Sequence, residues 1–82
     1  MKNRTPKVLQ EEFDADMKII EERGALFDEN GKMCVYIHRE NQRGGMAYFY
    51  DRNYNAARIH TSTFYRLLDE DKAVRVDPKT FI

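Results

Sequence analysis

The sequence predicts a small α+β domain, in which an antiparallel sheet of three to five strands carries an N-terminal amphipathic helix and a second short helix. Three observations support this class: a helical apolar period near the N-terminus, short strand-like runs between turn residues in the middle, and a second helical period before a last alternating run. The predicted order is α-β-β-β-(β)-α-β. The 82 residues suffice for one domain spanning 1–82, with residues 1–5 expected to form a flexible N-terminus.

The first helix is predicted to run from about residue 6 to about residue 23. Thr5 can serve as its N-cap, and Pro6 suits the first helical position. Apolar side chains recur at helical spacing on one face, which consists of Leu9, Phe13, Met17 and Ile20, widened by Ala15 and Ile19. Gly24 suits the left-handed conformation that follows many helices, so the helix should end there.

A β-hairpin is predicted next, with strands at about 25–29 and 32–38. The dipeptide Asn30-Gly31 favours a two-residue type I′ turn, which needs positive φ at both positions. Such a turn would pair Leu26 with Val35 across the hairpin. Alternation along the second strand assigns its residues to two faces, with Met33, Val35 and Ile37 towards the helix and Lys32, Cys34, Tyr36 and His38 away from it.

A polar, glycine-rich loop then leads to a third strand at about 46–51. Alternation in this strand places Phe49 towards the core and Tyr48 and Tyr50 on the opposite face. Asp51 to Asn55 has the composition of a turn, and a short extended piece at about 56–59 follows it.

The second helix is predicted to begin with Thr61 or Ser62 as its cap and to end near Asp71. Its apolar face consists of Phe64, Leu67 and Leu68. The alternating run at 73–76 is expected to be the closing strand, because Pro78 cannot continue a sheet ladder.

Composition indicates a soluble intracellular chain without a membrane segment. About 41% of the residues are hydrophobic and 34% are charged, and no apolar run is long enough to span a bilayer or to serve as a signal peptide. The single Cys34 cannot form an internal disulfide, which favours the cytoplasm over a secreted location. The small size suits a phage- or bacterium-encoded protein, although no residue establishes the source.

The sequence contains no catalytic or cofactor motif, so we expect a non-enzymatic protein without cofactor or metal. His38 and His60 are the only histidines, and neither has partners at metal-ligand spacing. Cys34 and His38 share a strand face but stand roughly 13 Å apart, too far for a nucleophile and its base. A metal-independent ribonuclease is the remote alternative, with its active site formed by His38, Arg39, Arg43, Tyr50 and His60.

Charge and aromatic residues are concentrated together in the middle of the chain. The net charge of the whole chain is zero, yet residues 1–30 carry five basic and eight acidic side chains, whereas residues 36–66 carry five arginines and two acidic side chains. Arginine with exposed aromatics on a sheet suits unpaired bases or a protein surface. The predicted contact residues, for single-stranded RNA or DNA or for a protein, are Tyr36, His38, Arg39, Arg43, Tyr48, Tyr50, Arg52, Tyr54 and Arg58.

We expect an inhibitor or regulator that docks on a protein or nucleoprotein, with a single-stranded nucleic-acid binding module, RNA favoured, as the alternative. The outer face of the first helix is a second candidate docking surface, formed by Glu11, Asp14, Glu21 and Glu22. An exposed sheet edge or the apolar C-terminus could also support a homodimer. No segment resembles a known family closely enough to identify one.

Overall fold

The computed structural model describes residues 5–38 and 45–81 of the chain. Its elements in chain order are helix α1 (Pro6–Arg23), strands β1 (Met33–His38), β2 (Met46–Tyr50) and β3 (Ala56–Ile59), helix α2 (Thr61–Asp69), strand β4 (Ala73–Arg75) and a 3₁₀ helix at Pro78–Phe81. The predicted α+β class is confirmed, with the order α-β-β-β-α-β. Within the described residues, neither helix is long and apolar enough to cross a membrane.

The four strands form one sheet in the order β3-β2-β1-β4. The β1–β2 and β2–β3 pairs are antiparallel, whereas β4 runs parallel to β1, so the expectation of a purely antiparallel sheet is wrong at this edge. The reason is the helix between β3 and β4. A crossover helix returns the chain to the end of the sheet where β3 began, and the next strand then runs in the same direction as β3.

Helix α1 has the bounds and termini that its local sequence predicts. Thr5 Oγ1 accepts a hydrogen bond from the Val8 amide at 3.2 Å, and Gly24 ends the helix with φ 80°. The predicted apolar stripe is broader than the one observed: Ile20 is buried, whereas Leu9 and Ile19 are exposed. An acidic residue, rather than a further apolar one, completes the buried part of α1, as described below.

The predicted hairpin differs from the structure in its first strand, its turn and its register. Residues 25–29 form only isolated bridges, one of which sets Phe27 opposite Met33. Val35 pairs with Phe49 of β2, not with Leu26. The Asp28 carboxylate accepts hydrogen bonds from the backbone amides two and four positions later, and this side-chain turn replaces the expected type I′ turn.

The two helices share one side of the sheet, and the core lies between them and the strands. Helix α2 packs on β1, β2 and β4, and α1 packs against α2. The core-facing assignments of Met33, Val35 and Phe49 are confirmed, since all three are buried. The largest fully buried side chains are Phe49, Phe64, Leu67, Val35 and Thr63. The opposite side of the sheet therefore carries neither α1 nor α2.

Candidate functional site

Three tyrosines stack on one another on the sheet side opposite the helices. Strand pairing sets Tyr36 of β1 directly across from Tyr48 of β2, and Tyr50 is the next residue of β2 on the same face. The ring centroids of Tyr36 and Tyr48 lie 5.0 Å apart with an interplanar angle of 13°. Those of Tyr36 and Tyr50 lie 5.3 Å apart at 26°. We call Tyr36, Tyr48 and Tyr50 the tyrosine stack.

Arg58 and Met46 border the stack. Arg58 of β3 pairs with Tyr48, and its guanidinium carbon lies 5.8 Å from the centre of that ring, within cation–π range. The Tyr48 hydroxyl donates to Met46 Sδ at 3.4 Å, and Arg58 Nη1 donates to the same sulfur at 3.6 Å. These contacts fix a cation beside the aromatic rings. We call the stack together with His38, Met46 and Arg58 the tyrosine face.

Exposure changes along the tyrosine face. Tyr50 is 5% exposed and the neighbouring Cys34 is 4% exposed, whereas Tyr36 and Tyr48 are half-buried. At the other end, His38, Met46 and Arg58 are exposed. The accessible part of the face therefore lies at the end formed by Tyr36, Tyr48 and these three side chains.

The local environment raises the pKa values of Tyr36, Tyr50 and Cys34. Burial raises the pKa of Tyr36, and the neighbouring Tyr48 raises it further. Burial also raises the pKa of Tyr50, with smaller contributions from Tyr36, Asp77 and Cys34. The pKa of the Cys34 thiol is raised by burial and then by the Asp28 carboxylate, so this thiol is a weak nucleophile at neutral pH.

The structure brings together five of the nine predicted contact residues, namely Tyr36, His38, Tyr48, Tyr50 and Arg58. The prediction that Tyr50 is a surface contact is wrong, because its side chain is buried. Arg39 and Arg43 lie outside the described residues. Arg52 does not join the tyrosine face, because its guanidinium packs against Gly24 at the end of α1. Tyr54 lies in the turn between β2 and β3 and is 58% exposed.

The turn that holds Tyr54 repeats the geometry of the turn at 28–32. Both turns begin with an aspartate, Asp28 in one and Asp51 in the other. The aspartate Oδ1 accepts hydrogen bonds from the backbone amides two and four positions later, and its backbone carbonyl accepts one from the amide three positions later. The fourth position has positive φ, which is 77° at Gly31 and 64° at Tyr54. A bulky residue in this conformation is strained, and such strain is concentrated at functional sites.

Sequence reasoning missed a polar cluster that joins the two helices. Asp16 of α1 is 3% exposed, and its Oδ2 lies 2.9 Å from both the backbone nitrogen and Nδ1 of His60 and 2.5 Å from Thr63 Oγ1. One turn earlier, Glu12 Oε1 accepts from Ser62 Oγ at 2.8 Å. Carboxylates of α1 therefore accept hydrogen bonds from the N-terminal residues of α2, where the helix dipole makes negative charge favourable.

The predicted N-cap of the second helix is wrong. The N-cap is His60, which makes no side-chain capping bond, rather than Thr61 or Ser62. The signal that could have revealed the cluster was the placement of Glu12 and Asp16 one turn apart, beside the apolar stripe of α1.

The two histidines do not converge on one site. His38 lies on the tyrosine face, whereas His60 contacts α1 on the helix side of the sheet. The geometry thus separates the acid and base that the ribonuclease hypothesis requires. In the described parts of the chain, no group of three His, Cys, Asp or Glu side chains could hold a metal ion.

The alternative acidic surface is exposed as predicted. Glu11, Asp14, Glu21 and Glu22 all lie on the solvent side of α1, and the Asp14 carboxylate accepts from Gln10 Nε2 at 2.8 Å. Their exposure leaves them solvated, with no geometry that singles out a ligand.

Comparison with models of protein families, with curated proteins and with solved structures found no match to this chain. The function is therefore argued from the geometry of the tyrosine face and its surroundings.

Proposed function

We propose that this chain is a small non-enzymatic docking protein that inhibits or regulates a protein or nucleoprotein partner through its tyrosine face. The observation that carries the proposal is the stack of Tyr36, Tyr48 and Tyr50 beside Arg58 on the sheet side away from the helices. The β1–β2–β3 part of the sheet is antiparallel, and the solvent-facing side of such strands ordinarily carries polar residues. Tyrosine and arginine are instead the residue types that dominate the binding energy of protein interfaces.

The stack lowers the conformational cost of docking. Each ring is held by its neighbours, so a partner needs to immobilise few side-chain rotamers. The Tyr36 phenol is a hydrogen-bond donor at neutral pH, since burial raises its pKa further above that range. A rigid apolar surface edged by donors and by the Arg58 cation suits a partner surface with carbonyl or carboxylate acceptors.

Tyr54 supports the same role. Its side chain is 58% exposed, and its φ of 64° costs energy that glycine would avoid at this position. Gly31 occupies the equivalent position of the other turn. We propose that this exposed ring, which follows the end of β2 opposite to the accessible part of the tyrosine face, is a second contact for the partner.

A single-stranded RNA module is the competing function. Arg58 and His38 would meet phosphates, and the tyrosines would stack on bases. The mutual stacking of the three rings already occupies part of the aromatic surface that bases would use. The geometry consequently favours a protein partner, and we propose the cytoplasm as its location, where the unpaired thiol of Cys34 stays reduced.

The test is capture of a partner from a nuclease-treated lysate of the cells that express the chain. We expect one stoichiometric protein that is lost with Tyr48→Ser and with Arg58→Ala, and retained with Tyr65→Ser. Tyr65 is the matched control, because it is a 40% exposed tyrosine on α2 rather than on the tyrosine face.

A parallel titration with labelled single-stranded RNA separates the two functions. Tight binding whose affinity falls steeply with salt and requires Arg58 would support the RNA module and refute the protein-docking proposal. Partner capture that is insensitive to both Tyr48→Ser and Arg58→Ala would also refute the proposal, because Arg58 is exposed and its loss should leave the fold intact.

A further inference from the structure

An open groove of about 830 Å³ lies on the helix side, remote from the tyrosine face. The second half of α1, the segment 24–33 and the turn after α2 form its walls. Its floor is apolar and includes Met17, Ile20, Met33 and Leu67. Phe27 stands at its rim with 55% of its surface exposed. The volume falls in the range of about 300–1,000 Å³ that small-molecule sites occupy.

A positioned guanidinium lies in the wall of this groove. The place that a Cβ atom would take on Gly24 lies 2.6 Å from Arg52 Nε and 2.9 Å from Arg52 Cζ, so the absence of a side chain at Gly24 is what admits Arg52. The positive φ of 80° at Gly24 also favours glycine there. The Arg52 guanidinium therefore lies against the C-terminal end of α1, although the residue as a whole is exposed.

Arg52 differs in its pairing from the two lysines that line the groove beside the turn after α2. Lys32 Nζ lies 2.6 Å from Asp71 Oδ2, and Lys72 Nζ lies 3.3 Å from Glu70 Oε1. Across residues 5–38 and 45–81, Arg52 has no carboxylate within ion-pair distance. The groove thus combines an apolar floor with the Arg52 guanidinium, which lies at the C-terminal end of α1 and has no carboxylate partner among the described residues.

We propose that this groove binds an amphipathic carboxylate, a medium-chain alkyl carboxylate in its simplest form. The alkyl chain lies on the floor beside Met17 and Met33, and the carboxylate is held by Arg52. Asp14, Lys18 and Glu21 also line the α1 wall, and the head group is assigned to Arg52 because a guanidinium can pair with both carboxylate oxygens. An Arg–carboxylate pair supplies two parallel hydrogen bonds and hence a defined orientation.

The experiment is a titration of the ¹⁵N-labelled protein with decanoate, followed by amide chemical shifts. We expect saturable shifts that are confined to the groove, at Ala25, Phe27 and Met33. Decyltrimethylammonium, which has the same chain and the opposite charge, should bind at least about tenfold more weakly because it loses the charged hydrogen bonds.

Two variants and one control locate the site. Arg52→Gln should weaken decanoate binding by about tenfold or more, and Phe27→Ser should weaken it independently, since an exposed rim residue contributes little to folding. Arg58→Gln, on the tyrosine face, should leave decanoate affinity unchanged.

The assignment would be overturned by non-saturable or dispersed shifts, by equal binding of the ammonium probe, or by full affinity in both groove variants. Saturable binding of a peptide with an apolar C-terminal residue, without binding of decanoate, would overturn it in favour of a protein ligand. None of these outcomes involves the tyrosine face, so the groove and the proposed docking function are tested separately.

Discussion

The turns at 28–32 and 51–55 have the same geometry, so the strain at Tyr54 can be measured by comparing alanine with glycine at the fourth position of each turn, which is Gly31 in one and Tyr54 in the other. Tyr54→Ala removes the aromatic side chain and keeps the left-handed backbone of a residue with a Cβ atom, whereas Tyr54→Gly removes both. The difference between the two variants isolates the backbone contribution. Gly31→Ala introduces the same contribution at the other turn, where an added Cβ would meet nothing within 4 Å.

The expected magnitude follows from two opposing effects. A residue other than glycine in the left-handed region costs about 1–2 kcal/mol, and the larger backbone freedom of glycine in the unfolded chain offsets about 0.5–1 kcal/mol of this. Tyr54→Gly should therefore be more stable than Tyr54→Ala by about 0.5–1 kcal/mol, and Gly31→Ala should lose a similar free energy of unfolding. For a domain of this size, that difference corresponds to about 2–8 °C in Tm.

Urea denaturation followed by circular dichroism measures these differences, with the slope m expected to stay constant across the variants. Equal stabilities of Tyr54→Ala and Tyr54→Gly, or an unchanged stability of Gly31→Ala, would refute the argument that Tyr54 is strained. Both variants at position 54 should also weaken partner binding, since both remove the ring.

Three further predictions concern the helix contact, the stack and the thiol. Asp16→Ala should lower the free energy of unfolding by about 2–4 kcal/mol, because donors of the first turn of α2 lose their acceptor. The control Asp14→Ala, on the exposed side of α1, should change it by no more than about 0.5 kcal/mol. Equal losses for the two variants in urea denaturation would contradict this prediction. Because their pKa values are raised, Tyr36 and Tyr50 hold their protons more tightly in the folded chain than in the unfolded chain. The free energy of unfolding that the protonated phenols contribute is therefore fully present below about pH 10 and is lost as the pH rises above it. Urea midpoints measured from pH 8 to pH 11 should fall less steeply in Tyr36→Phe, and an identical slope would argue against the pKa shift. Cys34 should react with a disulfide reagent at least about ten times more slowly in the native protein than in urea, and equal rates would show that the thiol is accessible.

Local signals in the sequence were sufficient for α1 and for the faces of β1 and β2. The Thr5 cap, Pro6 and Gly24 fix the ends of α1 through interactions within a few residues of the chain. The alternation of apolar side chains assigns Val35 and Phe49 to the core because a strand has a period of two whatever its neighbours are. The same alternation places the three tyrosines on outward faces, but their stacking depends on the register of β1 and β2, which it does not predict.

Features that depend on side-chain competition or on tertiary contacts were not predictable in this way. The turn after Asp28 failed to follow the Asn-Gly preference because the aspartate carboxylate binds two backbone amides. No local signal in the sequence distinguishes Asp16 from the exposed acidic residues of α1, because its buried partners come from the packing of α2. Its position in the chain predicts that Arg52 lies with the aromatic contact residues, but the side on which a turn residue lies depends on the geometry of the turn, which directs Arg52 to Gly24.

The central claim, that the tyrosine face is a protein-docking surface, is tested most directly by the affinity of the captured partner for three purified chains. Isothermal titration should show that Tyr48→Ser loses about 30-fold or more in affinity, as expected when an interface hot spot is removed, whereas Tyr65→Ser stays within about threefold of the unmodified chain. Equal affinities for all three chains, with the Tyr48→Ser variant shown to be folded by circular dichroism, would contradict the account.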